Sequence, residues 1–199
     1  HILQPRSSIY ASNPIRPDMV RSNGDRTYER RVGFPPIAGD GPRVLILGTI
    51  PSVRSALKEQ YYGNPRNQFW RMVHEMFGSS PSESYEARAN FLRTNHIAIW
   101  DVLKECCIID SKDSTIRDEV INDIQGFLED HDSIVHVFLN GKKAYKHYLD
   151  TEVKVKGRSL PATCLPSSSP LHAIPYEKKL REWSVIRRVI DGSDPRSHP

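Results

Sequence analysis

A chain of 199 residues with a formal net charge of +4 is long enough for one well-buried core, and its mild basicity favours a polyanionic partner without identifying it. Three cysteines, Cys106 and Cys107 adjacent and Cys164 distant, exclude a disulfide framework and lack the paired spacing of a zinc or iron–sulfur site. No run approaches the roughly 18 consecutive apolar residues of a membrane helix, so the sequence reads as an intracellular protein with reduced thiols, no membrane association and no metal or cofactor.

Residues 1–31 are rich in Arg, Ser, Asn and Pro without apolar periodicity, and are expected to form a poorly ordered basic tail. Residues 32–190 are expected to form a single α/β domain and residues 191–199 a frayed end. Within the domain, Val44 to Leu47 is a continuous apolar run, the pattern of a strand buried on both faces. A helical stripe follows in Phe69, Trp70, Val73, Met76 and Phe77. Ile97 to Trp100 is a second strand. From Thr115 to Leu128, the residues Ile116, Val120, Ile121, Ile124, Phe127 and Leu128 fit a helical period. Ile134 to Leu139 is a third strand, with a helix from about Lys142. Ala162 to Leu165 is a fourth strand, and a last helix spans about Tyr176 to Ile190. Apolar strands alternating with helices predict a three-layer α/β fold, with a mostly parallel sheet of about four strands flanked by helices.

In such a sheet, ligands bind beyond the carboxyl ends of the strands. Each strand runs at once into small or polar residues: Gly48-Thr49-Ile50-Pro51-Ser52, Asp101, Asn140-Gly141-Lys142-Lys143, and Pro166-Ser167-Ser168-Ser169-Pro170. The first segment offers a tight turn with free amides, or else a turn capped by Ser52. Asn140 can present an amide to a base edge, or simply make a turn. The serine segment can hold phosphates through hydroxyls, or cap a helix. Asp101 is either a carboxylate partner for water or cation, or a cap. The densest segment is Tyr61 to Trp70, where aromatics, Arg66 and the amides of Asn64 and Asn67 suit stacking and phosphate contacts, although Phe69 and Trp70 also fit the core.

These blocks, together with Gly33-Phe34-Pro35-Pro36-Ile37 and Ile99-Trp100-Asp101-Val102-Leu103, resemble in order and spacing the hypoxanthine-DNA (deoxyinosine) glycosylases of the uracil-DNA glycosylase superfamily, over roughly residues 33–190. The resemblance implies that superfamily's fold and a DNA repair enzyme that hydrolyses the N-glycosidic bond of a flipped deaminated base, hypoxanthine or uracil, leaving an abasic site. By the same resemblance Asn67 is the catalytic asparagine and Asn140 handles the base. Gly48 to Ser52 corresponds to the first active-site motif of the superfamily, without the Asp or Asn found there in several relatives. Ser167 to Pro170 corresponds to the second. Asn64 stands where relatives commonly have histidine, and Leu171-His172 also departs from the pattern, with His172 read as a surface residue.

A base in duplex DNA must leave the stack to be excised. Asn67 cannot serve as a strong base, because an amide does not accept a proton near neutral pH, but it can orient water. Tyr62 or Phe69 would stack on the base, with Gly48, Thr49 and Ile50 beside it. Pro51, Ser52, Arg66, Ser167, Ser168, Ser169 and Lys142 would face DNA. The motif blocks contain no obvious Schiff-base lysine, so a monofunctional, monomeric glycosylase is expected. The competing readings are a mismatch-type uracil or thymine glycosylase and a lesion-binding module without catalysis.

Overall fold

The computed structural model describes residues 27–193 together with the backbone of 19–21. Two sheets organise the chain. The first contains β3 (Val44–Gly48), β4 (Ile97–Asp101), β7 (His136–Asn140) and β8 (Ala162–Leu165), all parallel in the order β4-β3-β7-β8. Every residue of β3 is buried. Its side chains alternate between two cores, as the strand period of two requires. Val44 and Ile46 meet Phe69, Met72, Leu92, Trp183 and Ile186 on α2 (Phe69–Glu75), α3 (Tyr85–Thr94), α6 (Tyr176–Trp183) and α7 (Val185–Ile190). Leu45 and Leu47 meet Ile124, Phe127, Leu128, Ala144 and Tyr148 on α4 (Ile124–Asp130) and α5 (Lys142–Asp150). The expected three-layer architecture and its four parallel strands are therefore present.

A second, antiparallel sheet was not foreseen. It is ordered β1 (Met19–Arg21), β2 (Thr27–Val32), β5 (Leu103–Ile108), β6 (Arg117–Ile121). Only Val102 separates β4 from β5, so one stretch of chain leaves the parallel sheet and enters this one. Leu103, Cys106 and Ile108 form a small core against Ile50 and Ile116.

Two sequence expectations are corrected here. The helix expected over Thr115 to Leu128 is instead a 3₁₀ turn (Asp113–Thr115), the strand β6, and then α4. Val120 and Ile121 are 43% and 39% exposed, so they belong to no helical core stripe. β5 offers them a ladder, and Asp123 starts a fresh helix by accepting the Gly126 N–H at 2.9 Å. The tail expected over residues 1–31 is structured where it can be described: Thr27–Val32 pairs with β5 from Glu29↔Ile108 to Val32↔Glu105, and Met19–Arg21 pairs with β2. Residues 1–18 and 22–26 lie outside the described residues, as do 194–199 of the expected frayed end. The last helical pattern divides at Ser184, whose hydroxyl donates back to the Leu180 carbonyl at 2.7 Å.

The order β4-β3-β7-β8 sends the chain to opposite faces after β3 and after β7. Their carboxyl ends therefore part and open a crevice, which is where open parallel sheets bind ligands.

Candidate active site

A cleft of about 730 Å³ occupies this crevice. It is lined by Gly48, Thr49, Ile50, Pro51, Ser52, Tyr62, Asn64, Arg66, Asn67, Asp101, Asn140, Ser167, Ser168, Ser169 and His172, so nearly all of the sequence candidates converge on it. Two do not line it. Phe69 is fully buried beneath Tyr62, the rings stacked at 3.8 Å, so it supports a stacking face rather than providing one. Lys142 is exposed at the start of α5, outside the cleft lining.

Tyr62 is held in the left-handed backbone region, at φ 53°, an uncommon conformation for a bulky residue that costs on the order of 1–3 kcal/mol. The surroundings that hold it are dense. Tyr61 donates its hydroxyl to the Pro35 carbonyl at 2.8 Å, Trp100 donates its indole N–H to the Phe34 carbonyl at 3.0 Å, and Trp70 donates its own to the Tyr61 carbonyl at 3.0 Å. The Gly33–Ile37 block and the Tyr61–Trp70 block thus form one knitted unit.

Asn140 ends β7 and is committed within the protein. Its Oδ1 accepts the Ser168 N–H at 2.8 Å, and its Nδ2 donates to Ser168 Oγ at 2.8 Å and to the Tyr62 hydroxyl at 3.3 Å. An asparagine has two side-chain donor hydrogens, and both are used. Ser168 is 1% exposed, and its hydroxyl is taken up by this network. Gly141 supplies the φ of 96° that lets the chain turn here, and a Cβ on it would stand 3.2 Å from Ser167 Cβ. The serine segment is anchored from below: Trp183 Nε1 donates to the Pro166 carbonyl at 2.9 Å, and the buried Lys179 Nζ donates to the Ser169 carbonyl at 3.1 Å.

Asn67 precedes α2, and its Oδ1 accepts the Phe69 N–H at 3.0 Å. That bond fixes the amide while leaving both Nδ2 hydrogens and one Oδ1 lone pair for a bound group. Gln68 N–H donates to the Ser168 carbonyl at 3.0 Å, joining this turn to the serine segment. Asn64 Oδ1 accepts the Arg66 N–H at 3.0 Å, so Asn64 shapes the turn that presents Arg66.

Asp101 is the unusual member. Its side chain is buried, and among the described residues its Oδ2 has no hydrogen-bond partner. A Cβ on Gly48 would stand 2.4 Å from Asp101 Oδ1, so glycine is required there for the carboxyl to lie against β3. Burial pushes the Asp101 carboxyl up to about 7, with the charge of Asp113 adding to the effect. Burial likewise pushes the Tyr62 hydroxyl above the ordinary tyrosine range, more than its bond from Asn140 draws it down. The pocket floor therefore holds a neutral phenol and a carboxyl poised between acid and base.

Several lining residues were not among the site candidates of the sequence. Leu171 is 81% exposed at the rim, an apolar side chain placed in water beside the serine segment. Lys112, exposed, and Ser111 and Asp113 come from the β5–β6 connection, which lies just before the helix the sequence suggested from Thr115 and has no apolar pattern of its own. Among the described residues no group of three or more His, Cys, Asp or Glu side chains could hold a metal, and no helix is long and apolar enough to cross a membrane.

A crevice at the switch point of a parallel sheet, with an aromatic wall, fixed amides and a cationic rim, defines an α/β protein with a ligand-binding cleft. The family profile of the uracil DNA glycosylase superfamily matches residues 35–191, and the chain belongs to that superfamily. It is a DNA glycosylase, a hydrolase of N-glycosyl bonds in DNA. It is similar to a Methanosarcina acetivorans protein named hypoxanthine DNA glycosylase, 36% identical over 157 residues that cover 78% of this chain and 97% of the relative. A Methanosarcina barkeri protein of the same name is 36% identical over 116 residues, 58% of this chain and 73% of the relative. A solution NMR structure from Methanosarcina acetivorans, assigned to the uracil DNA glycosylases, superposes with a TM-score of 0.71 at 34% identity, over 81% of this chain and 99% of that one.

Proposed function

We propose that this cleft excises hypoxanthine from DNA by hydrolysis, and that the Asp101 carboxyl reads the base. The observation that carries this reading is the buried Asp101 carboxyl in the cleft lining, whose Oδ2 has no hydrogen-bond partner among the described residues. In its neutral form a carboxyl offers one donor and one acceptor side by side. The lactam edge of hypoxanthine, a ring N–H next to a carbonyl, matches both. Uracil carries the same edge, so it is the second substrate, and the names of the two Methanosarcina relatives favour the purine. With both Asn140 donors occupied, its part is to hold Tyr62 and Ser168 in place.

Bond cleavage leaves positive charge on the sugar and negative charge on the departing base. Neutral Asp101 stabilises the base by hydrogen-bond donation. Asn67, fixed by the Phe69 N–H, orients the attacking water through its remaining Oδ1 lone pair and Nδ2 hydrogens, a contribution of position rather than proton abstraction. Tyr62 gives the base its stacking face. Arg66, Arg54 and Lys112 at the mouth hold phosphates, and Leu171 fills the gap left in the stack, as apolar wedges do. Lys112, from the β5–β6 connection, is the lysine in the cleft lining and serves a phosphate, so the enzyme releases the base by hydrolysis without cutting the strand. One chain completes the cleft, in keeping with a monomer acting inside the cell.

The test is base release from otherwise identical oligonucleotides carrying one hypoxanthine, uracil, xanthine or mispaired thymine. The reading expects hypoxanthine first and uracil second, with strand breaks only after alkali. Asn67→Ala should bind the same DNA and release nothing. Release at the wild-type rate by Asn67→Ala would refute the assignment, and thymine as the best substrate would favour a mismatch enzyme.

A further inference from the structure

Arg31 lies before residue 35, where the match to the superfamily begins, and belongs to the strand β2 of the unforeseen sheet. Its side chain is 5% exposed. One guanidinium nitrogen donates to the Pro51 carbonyl at 2.7 Å and the other to the Asp110 carbonyl at 2.7 Å, while Glu29 pairs with it on the same strand. Pro51 belongs to the loop after β3, and Asp110 to the connection between β5 and β6. Both loops line the cleft: Gly48 to Ser52 from the first, Ser111 to Ser114 from the second.

The two loops meet a second time where Val53 N–H donates to Ser111 Oγ at 2.9 Å. They also flank Asp101. Gly48 lies against its carboxyl, and Ser111 to Ser114 share the cleft lining with it, where the charge of Asp113 acts on it. Asp110 is held at φ 53°, a left-handed conformation that persists only where surrounding contacts fix it, and its carbonyl bond to Arg31 is one such contact. With its charge met by Glu29, Arg31 contributes a shape: a planar fork whose two ends grip two carbonyls at once, which an ammonium cannot imitate.

We propose that Arg31 is a positioning residue for base excision, a staple from the N-terminal strand that sets the separation of the two loops around Asp101. Removing it lets the loops part, so the base is held less well against the carboxyl. DNA affinity, which comes from the cationic rim, stays. The inference rests on the cleft being the site of base release.

The test uses the full chain in single-turnover release of hypoxanthine, at a temperature where circular dichroism shows each variant folded. Arg31→Met should slow release tenfold or more, with affinity for abasic-site DNA within twofold of wild type. Arg31→Lys should remain slow. Arg31→Ala should regain rate in tens of millimolar guanidinium ion but not in the same concentration of methylammonium. Ser111→Ala, which removes the other tie and leaves Arg31 in place, should slow release several-fold and serves if the Arg31 variants do not fold. Wild-type rates in folded Arg31→Met, full rescue by Arg31→Lys, or an unchanged rate in Ser111→Ala where Arg31 variants are unfolded would overturn the staple. An inert wild-type enzyme would instead overturn the functional reading beneath it.

Discussion

Replacing Asp101 by Asn should stabilise the protein at high pH and destabilise it by about 1–3 kcal/mol at low pH. Asp101 has an ordinary value of 3.8 and is pushed up to about 7 by burial. The folded state therefore holds one more proton than the unfolded state between those pH values, and stability falls as pH rises through that window. At about 1.4 kcal/mol per pH unit over about 3 units, the carboxylate costs on the order of 4 kcal/mol above pH 7. The Asn variant carries no such charge. It does bury an amide where Oδ2 already lacked a partner, at roughly 1–3 kcal/mol. The net gain at pH 8 is about 1–3 kcal/mol, which for a domain of this size is roughly 2–4 °C in Tm per kcal/mol. Thermal unfolding of both proteins from pH 4 to pH 8 should give curves that cross between about pH 4.5 and pH 6, with the Asn variant less stable below the crossing and more stable above it. Parallel curves would refute the reasoning, because they would mean that Asp101 ionises in the fold as it does in water.

The same titration has a kinetic counterpart: hypoxanthine release by the wild type should decline above about pH 7, and the residual rate of Asp101→Asn should lack that decline. Asn140→Ala should cost about 1–3 kcal/mol in urea denaturation, because Ser168 loses the acceptor for its buried N–H. A change in base ranking without loss of stability would mean that the amide contacts the base directly. Leu171→Ala, 81% exposed, should leave Tm unchanged while slowing release from duplex more than from single-stranded DNA. Equal slowing on both would remove the wedge role.

The parallel sheet was legible because its strands are buried on both faces and read as unbroken apolar runs, and because their carboxyl ends carry Gly48, Asp101, Asn140 and Ser167 to Ser169. Phe69 was ambiguous for a physical reason: one aromatic spacing fits both a core stripe and a stacking platform, and only packing beneath Tyr62 decides between them. β6 was hidden because Ile116, Val120 and Ile121 satisfy a helical period equally well, and their ladder partner, β5, starts 14 residues before β6 does.

What the sequence determined by itself was the sheet, the crevice and most of the side chains around it, since local pattern and strand order suffice for those. What the tertiary structure decided was how those groups are used. Asn140 is spent on Ser168 and Tyr62, the Asp101 Oδ2 is left buried without a hydrogen-bond partner among the described residues, and Arg31 reaches from the N-terminal strand to two distant loops. Hydrogen-bond partners and desolvation depend on which groups meet in space, and neither is written in the spacing of residues along the chain.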